Sequence, residues 1–238
     1  MPTENQQQIC EQLDGCGLRY RLTSADSLSK AENETIDKLG VHAVLDVIEV
    51  DLEAGWPVTI ETIKEFVKLK KLKINGIDPI ANGYEPIFGF LELESVSFER
   101  SGLEDLSGFS KLVNLERFEF WDLTHHQTGA EVLGALPRLV ILKLDESTVT
   151  QKELLGISKS KSIVDLSFAV ADDSFDLSSI AAMKQLKYLG IYRPKVSEVD
   201  LNPLLELPNL KRVRIRHPLD RDAGVIWKLE ERGAVVDA

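Results

Sequence analysis

The stretch LKRVRI, Leu210 to Ile215, sets apolar residues at its first, fourth and sixth positions and cations at its second, third and fifth. A strand with one buried face demands this pattern, because successive side chains point to opposite sides of a sheet. The frame recurs toward the N-terminus as LKYLGI (Leu186, Leu189, Ile191), IVDLSF (Ile163, Leu166, Phe168) and LVILKL (Leu139, Leu142, Leu144). It continues as LERFEF (Leu115, Phe118, Phe120), LESVSF (Leu93, Val96, Phe98), LKKLKI (Leu69, Leu72, Ile74) and LDVIEV (Leu45, Ile48, Val50). First positions fall at 45, 69, 93, 115, 139, 163, 186 and 210, with spacings of 24, 24, 22, 24, 24, 23 and 24. A period held over eight units is the mark of a structural repeat. One more step reaches Ala234 in GAVVDA, where a short closing strand is expected with its register open.

These units resemble leucine-rich repeats, over roughly residues 41–238. The resemblance implies an α/β solenoid of about eight 24-residue repeats, a parallel sheet on one face and short helices on the other. The physical logic agrees: one turn cannot bury its apolar row alone, and neighbours supply the missing half of the core. The family motif continues to an Asn at the ninth position, which satisfies turn backbone groups. Here the ninth positions read Glu53, Ile77, Ser101, Leu123, Ser147, Ala171, Pro194 and Pro218. The Asn ladder is missing, so the turn backbone must find other partners.

Between the strand frames, segments such as TGAEVLGALPRL, VTQKELLGISKSK and LSSIAAMKQL have apolar residues at helix-like intervals, predicting short α or 3₁₀ helices. LDRDAGVIWKLEERG reads as a last, longer helix stopped by Gly233. Residues 1–40 leave the repeat and are expected to form a capping segment. Their predicted parts are a helix from Thr3 to Gly15, a strand in CGLRYRL and a second helix in SLSKAENETIDKLG. The expected organisation is a cap over 1–40 and a solenoid with a C-terminal helix and strand cap over 41–238.

A formal charge of −11, with 43% hydrophobic and 28% charged residues, describes a globular chain with no general affinity for nucleic acid or anionic membranes. No apolar run is long enough for a membrane span, and the polar start lacks a secretory signal pattern. Cys10 and Cys16 are too few for a disulfide framework, so a cytoplasmic setting is expected. Phosphate-loop, dinucleotide-binding, nucleophile-elbow and zinc-protease motifs are absent. The pair His125–His126 lies in a predicted loop without further ligands, and Asp172, Asp173 and Asp176 lack the Gly and Glu of a calcium loop. No catalytic residue, cofactor or metal is expected.

The open sheet face carries the functional expectation. On the early strands acids and lysines alternate: Asp46, Lys70 and Glu94 are expected to line up, as are Glu49 and Lys73, each pair adding a few tenths of a kcal/mol. On the eighth strand Lys211, Arg212, Arg214 and Arg216 have no acid opposite them on the seventh, which shows Tyr188 and Tyr192; capping by Asp220, Asp222 or Asp237 is the competing reading. Trp121, Val140 and Ile141 lie on the same face. Aromatic residues and Arg on an open face are common anchors of protein interfaces. The expected function is therefore a non-catalytic protein-binding module using its sheet face. A sharper form resembles a bacterial immunity-type protein that masks a basic toxin partner. The alternatives are a scaffold or regulatory subunit of an intracellular complex, and an enzyme using unrecognised carboxylates.

Overall fold

The computed structural model describes residues 19–22, 29–30, 47–53, 63, 68–76, 83–121, 128–170, 175–192, 199–215 and 223–237. They belong to two units, Met1–Leu103 and Glu104–Ala238. The first holds β1 (Arg19–Leu22), β2 (Ser29–Lys30), β3 (Val47–Glu53), β4 (Lys71–Asn75) and β5 (Ser95–Glu99), in the spatial order β2-β1-β3-β4-β5. The second holds β6 (Arg117–Trp121), β7 (Ile141–Val149), β8 (Asp165–Val170), β9 (Tyr188–Tyr192), β10 (Arg212–Ile215) and β11 (Val235–Asp237), adjacent in sequence order. Pairing within β3–β5 and within β6–β11 is parallel. This is the α/β leucine-rich-repeat-like solenoid architecture.

The apolar frame explains the parallel pairing. From β4 onward the residues at the first, fourth and sixth positions of every regular repeat are buried, from Leu69, Leu72 and Ile74 to Leu210, Val213 and Ile215. The backbone repeats with them. The carbonyl at the second position accepts two N–H groups of the next repeat: Val140 O takes Val164 N at 2.9 Å and Asp165 N at 3.1 Å. Lys70, Glu116, Val164 and Lys187 do the same.

The opposite layer is mostly 3₁₀: Glu85–Gly89, Ser107–Lys111, Ala130–Ala135, Ser178–Ala182 and Asn202–Glu206. Its apolar residues stand three apart, as in Leu106, Phe109, Leu112 and Leu115, and three is the 3₁₀ period at which side chains eclipse on one row. Phe109, Leu112 and Leu115 each donate the backbone N–H to the carbonyl of the one before, Leu106 donates to Thr128 O of the next repeat, and all four are buried. Phe109 meets the strand residue Phe118 edge-on with ring centres 4.9 Å apart, joining the two layers.

The repeat that follows β7 instead forms an α-helix, α1 (Gln151–Ile157). Thr150 and Glu153 make a reciprocal capping box at its start. Glu153 is buried, and its second oxygen accepts the Ala130 N–H of the previous repeat at 3.4 Å. The wider helix fits because glycines meet it. A Cβ at Gly134 would stand 2.7 Å from Ile157 Cα, and one at Gly156 would stand 2.8 Å from Glu131 Cα.

Three sequence expectations need correction or completion. Glu49 stands opposite Lys71 and Asp51 opposite Lys73, so the first repeat is framed by Val47, Val50 and Leu52 rather than Leu45, Ile48 and Val50. The run from Leu45 to Leu52 satisfies both frames; pairing with the antiparallel β1 and the parallel β4 selects the later one. The Lys70–Glu94 pair forms at 2.8 Å, whereas Asp46 lies outside the described residues. At the C-terminal end Val235, Val236 and Asp237 pair with Arg212, Val213 and Arg214, which puts Gly233, not Ala234, at the first position. Gly233 has φ +84° after α2 (Ala223–Glu231), and bonds from Gly233 N to Glu230 O and Ala234 N to Leu229 O end the helix.

Ninth-position side chains are described at Ser101 and Ser147. Both are buried, and their hydroxyls have no hydrogen-bond partner among the described residues. The Tyr84 hydroxyl instead donates to the Ser101 carbonyl at 2.6 Å, satisfying the turn from the opposite layer. The strand expected in CGLRYRL is β1, at the edge of β3. The predicted helix from Thr3 to Gly15, and Cys10 and Cys16, lie outside the described residues. Of the second predicted helix, residues 27–40, only Ser29–Lys30 are described, and they correct the expectation: they form β2, drawn into extended backbone by antiparallel pairing with β1.

The close contact between the two glycines gives a test. Gly156→Ala should cost about 1–3 kcal/mol of folding stability through overpacking, read as a lowered urea midpoint at unchanged slope. A midpoint equal to that of the natural chain would contradict the backbone contact.

Candidate docking face

The frame that buries the first, fourth and sixth positions turns the third, fifth and seventh to the other face of the sheet. In Glu104–Ala238 the third positions from β6 to β11 are Arg117, Ile141, Asp165, Tyr188, Arg212 and Val235. The fifth are Glu119, Lys143, Ser167, Gly190, Arg214 and Asp237. Three regions follow from those identities.

Over β6 to β8 the face is a mixed-charge lattice. Arg117 Nη1 bonds Glu119 Oε1 at 2.7 Å, and Lys143 Nζ reaches the same oxygen from the next strand at 3.6 Å. Asp165 closes the group on β8. Its carboxyl is held above the usual aspartate range, first by burial and then by repulsion from Asp145 and Glu119; attraction to Lys143 and Arg117 offsets part of this.

The middle of the face is filled. The paired register of β7 and β8 breaks between Leu144 and Thr148, so the segment containing Asp145 leaves the ladder. One Asp145 oxygen accepts the Trp121 indole N–H at 3.3 Å, and the other accepts the Ser167 hydroxyl. Ser167, Ala169 and Gly190 form a trough of small residues. A Cβ at Gly190 would meet Ser167 Cβ at 2.8 Å and Tyr192 Cε2 at 3.2 Å, so the Tyr192 ring lies across the glycine. Tyr192 is therefore only 9% exposed, which corrects the expectation of an open tyrosine at this position.

The third region is the cationic edge. Arg212 Nε pairs with Asp237 Oδ2 at 3.3 Å, and the Arg214 guanidinium hydrogen-bonds the Tyr192 phenol oxygen, which raises the Arg214 pKa. Two of the cations expected to lack compensation thus have partners, because the closing strand brings Asp237 beside β10 and the Tyr192 ring reaches along the face. Lys211 is exposed, as are Arg212 and Arg214. Arg216 lies outside the described residues, as do His125, His126, Asp172 and Asp173.

Of the remaining expected residues, Tyr188 is 42% exposed and Val140 40%, while Ile141 and Trp121 are half-buried. Val140 belongs to the second-position column, just before β7. Tyr188 and Arg212 are register partners, as are Ile141 and Asp165. Sequence reasoning passed over Arg117, Glu119, Lys143, Asp145, Asp165 and Ser167, although the same frame at the third, fifth and seventh positions points to them. Among the described residues no three His, Cys, Asp or Glu side chains are grouped to hold a metal ion. No helix among them is long and apolar enough to cross a membrane.

No family model matches the chain. Over 180 residues it is 24% identical to a Trypanosoma equiperdum protein described as "Putative adenylate cyclase regulatory protein", covering 75% of this chain and 28% of that protein. The chain thus spans little more than a quarter of that relative. Among solved structures it is similar to an internalin of Listeria monocytogenes, with TM-score 0.49, 14% identity and coverage of 84% of this chain and 65% of that one. It is also similar to a leucine-rich repeat protein of Leptospira interrogans, with TM-score 0.49, 20% identity and coverage of 66% and 41%.

Asp165 supplies a pH test. Its folded pKa lies above the ordinary value of 3.8, so folding favours the protonated form. The stability of the natural chain therefore falls as pH rises from that ordinary value through the folded one, and stays lowered above it. Asp165→Asn lacks this loss. Urea midpoints of the two chains, compared at stepped pH, should separate in favour of the variant across that window and then run parallel. A difference independent of pH, or one that favours the natural chain at neutral pH, would contradict the assignment.

Proposed function

We propose that this chain is a non-catalytic protein-binding module that docks a protein partner on the sheet face of Glu104–Ala238. The observation that carries the reading is the exposed set Tyr188, Lys211, Arg212 and Arg214, beside a charge lattice the core does not use. Arg214 is steadied by Tyr192 and Arg212 by Asp237, so less side-chain freedom is lost when a partner arrives. Trp121, Val140 and Ile141 extend the contact area toward β6 and β7, and Tyr192 acts as the floor. Arg216 belongs to the same proposed set.

The finer form is an immunity-type role in the cytoplasm, in which the chain masks a basic toxin. The charge of −11 supports it, because long-range attraction raises encounter rates with a basic protein. The acids Glu119, Asp145 and Asp165, held by Arg117, Lys143, Trp121 and Ser167, add negative potential to the same face. A second reading, a regulatory subunit of an intracellular complex, is favoured by the description of the Trypanosoma equiperdum relative.

The experiment is co-purification of the chain with the protein encoded beside it, for the natural chain and for Arg212→Glu with Arg214→Glu. The double variant should keep the melting profile and lose the partner at least tenfold in affinity. The toxin form further predicts that cells making the neighbouring protein survive only with the natural chain. A double variant that binds with unchanged affinity would remove β10 from the interface.

A further inference from the structure

The layer opposite the strands holds a cavity of about 690 Å³ between the 3₁₀ segment Ala130–Ala135 and α1, a place the docking face does not involve. Its floor exists because Gly134 and Gly156 bring the two segments into backbone contact. Three lysines line it, Lys152, Lys159 and Lys161, against one carboxylate, Glu131. Lys152 Nζ bonds Glu131 Oε1 at 2.7 Å, and that bond lowers the Glu131 pKa, so this pair is neutral as a unit. Lys159 and Lys161 are exposed and form no ion pair among the described residues. The lining therefore carries two surplus positive charges on a chain whose total is −11.

We propose that this cavity binds an organic phosphate of about nucleotide size. A phosphate monoester carries a charge of about −1.5 to −2 near neutral pH, which matches two unpaired ammonium groups. Lysine suits such a ligand as a mobile point charge. The volume lies within the roughly 300–1,000 Å³ of small-molecule pockets and far exceeds a bare phosphate, so the ligand has an organic body. That body has an apolar ledge to rest on: Leu155 is 53% exposed at the rim, and Leu136 and Pro137 line the same cavity.

The test is isothermal titration of the full chain at low ionic strength with adenosine monophosphate, inorganic phosphate and a short polyglutamate peptide. Adenosine monophosphate should bind at least tenfold tighter than phosphate and than the peptide. Lys159→Gln with Lys161→Gln should weaken it tenfold or more, and Lys159→Arg with Lys161→Arg should restore most of the affinity. Leu155→Ser should weaken the nucleotide severalfold and leave phosphate unchanged. No nucleotide binding, binding no tighter than phosphate or peptide, or equal binding by the glutamine double variant that keeps the natural melting profile would overturn the proposal.

Discussion

Everything in this chain depends on one constraint: a single repeat cannot bury its own apolar row. The strand residues at the first, fourth and sixth positions need the row above and the row below, and the 3₁₀ residues spaced by three need the strand row beside them. The second-position carbonyls of Lys70, Glu116, Val140, Val164 and Lys187 fix the step, because each accepts two N–H groups of the following repeat and leaves little room for slippage. With the Asn ladder missing, local devices close the turns, such as the Tyr84 hydroxyl on the Ser101 carbonyl. The cap of α1 by Glu153 reaches back to Ala130 and works in the same way.

The same constraint decides what is left over. Third, fifth and seventh positions take no part in the stack, so their identities are free to serve other ends. Exposed ion pairs contribute about 0–1 kcal/mol each, far below the roughly 2–5 kcal/mol of a buried leucine cut to alanine. The exposed pair Arg212–Asp237 therefore does little to hold the fold, and the pairs Arg117–Glu119 and Lys143–Glu119, whose shared carboxylate is only 12% exposed, fall between these two scales. What they do is hold charges in a fixed pattern, which suits recognition better than stability. The filled trough is the exception. There Gly190, Ser167 and Ala169 surrender the face to the Tyr192 ring, and core packing extends through the sheet.

Most of the fold was legible because the apolar frame and its period are dictated by burial. The frame failed at β3, where Val47, Ile48, Val50 and Leu52 satisfy two registers and only the neighbouring strands choose. The α1 capping box is written in the sequence as Thr150-x-x-Glu153, a signal that a search for strand periodicity passes by. The docking face was legible only as a list of outward positions. That Tyr192 lies down and Arg212 finds Asp237 follows from a glycine at the fifth position of one strand and an acid on a closing strand. Their meaning appears once the register is known.

The central claim is that the charged positions of the sheet face are surplus to folding and hence available for binding. Equilibrium unfolding of a chain with Arg117, Glu119, Lys143, Arg212 changed to Gln and Asp165, Asp237 changed to Asn tests it most directly. The predicted result is a cooperative transition whose free energy lies within about 2 kcal/mol of the natural chain, the scale of a few surface pairs. A chain that fails to fold, or one destabilised by more than about 5 kcal/mol, the scale of a severe core truncation, would contradict the account.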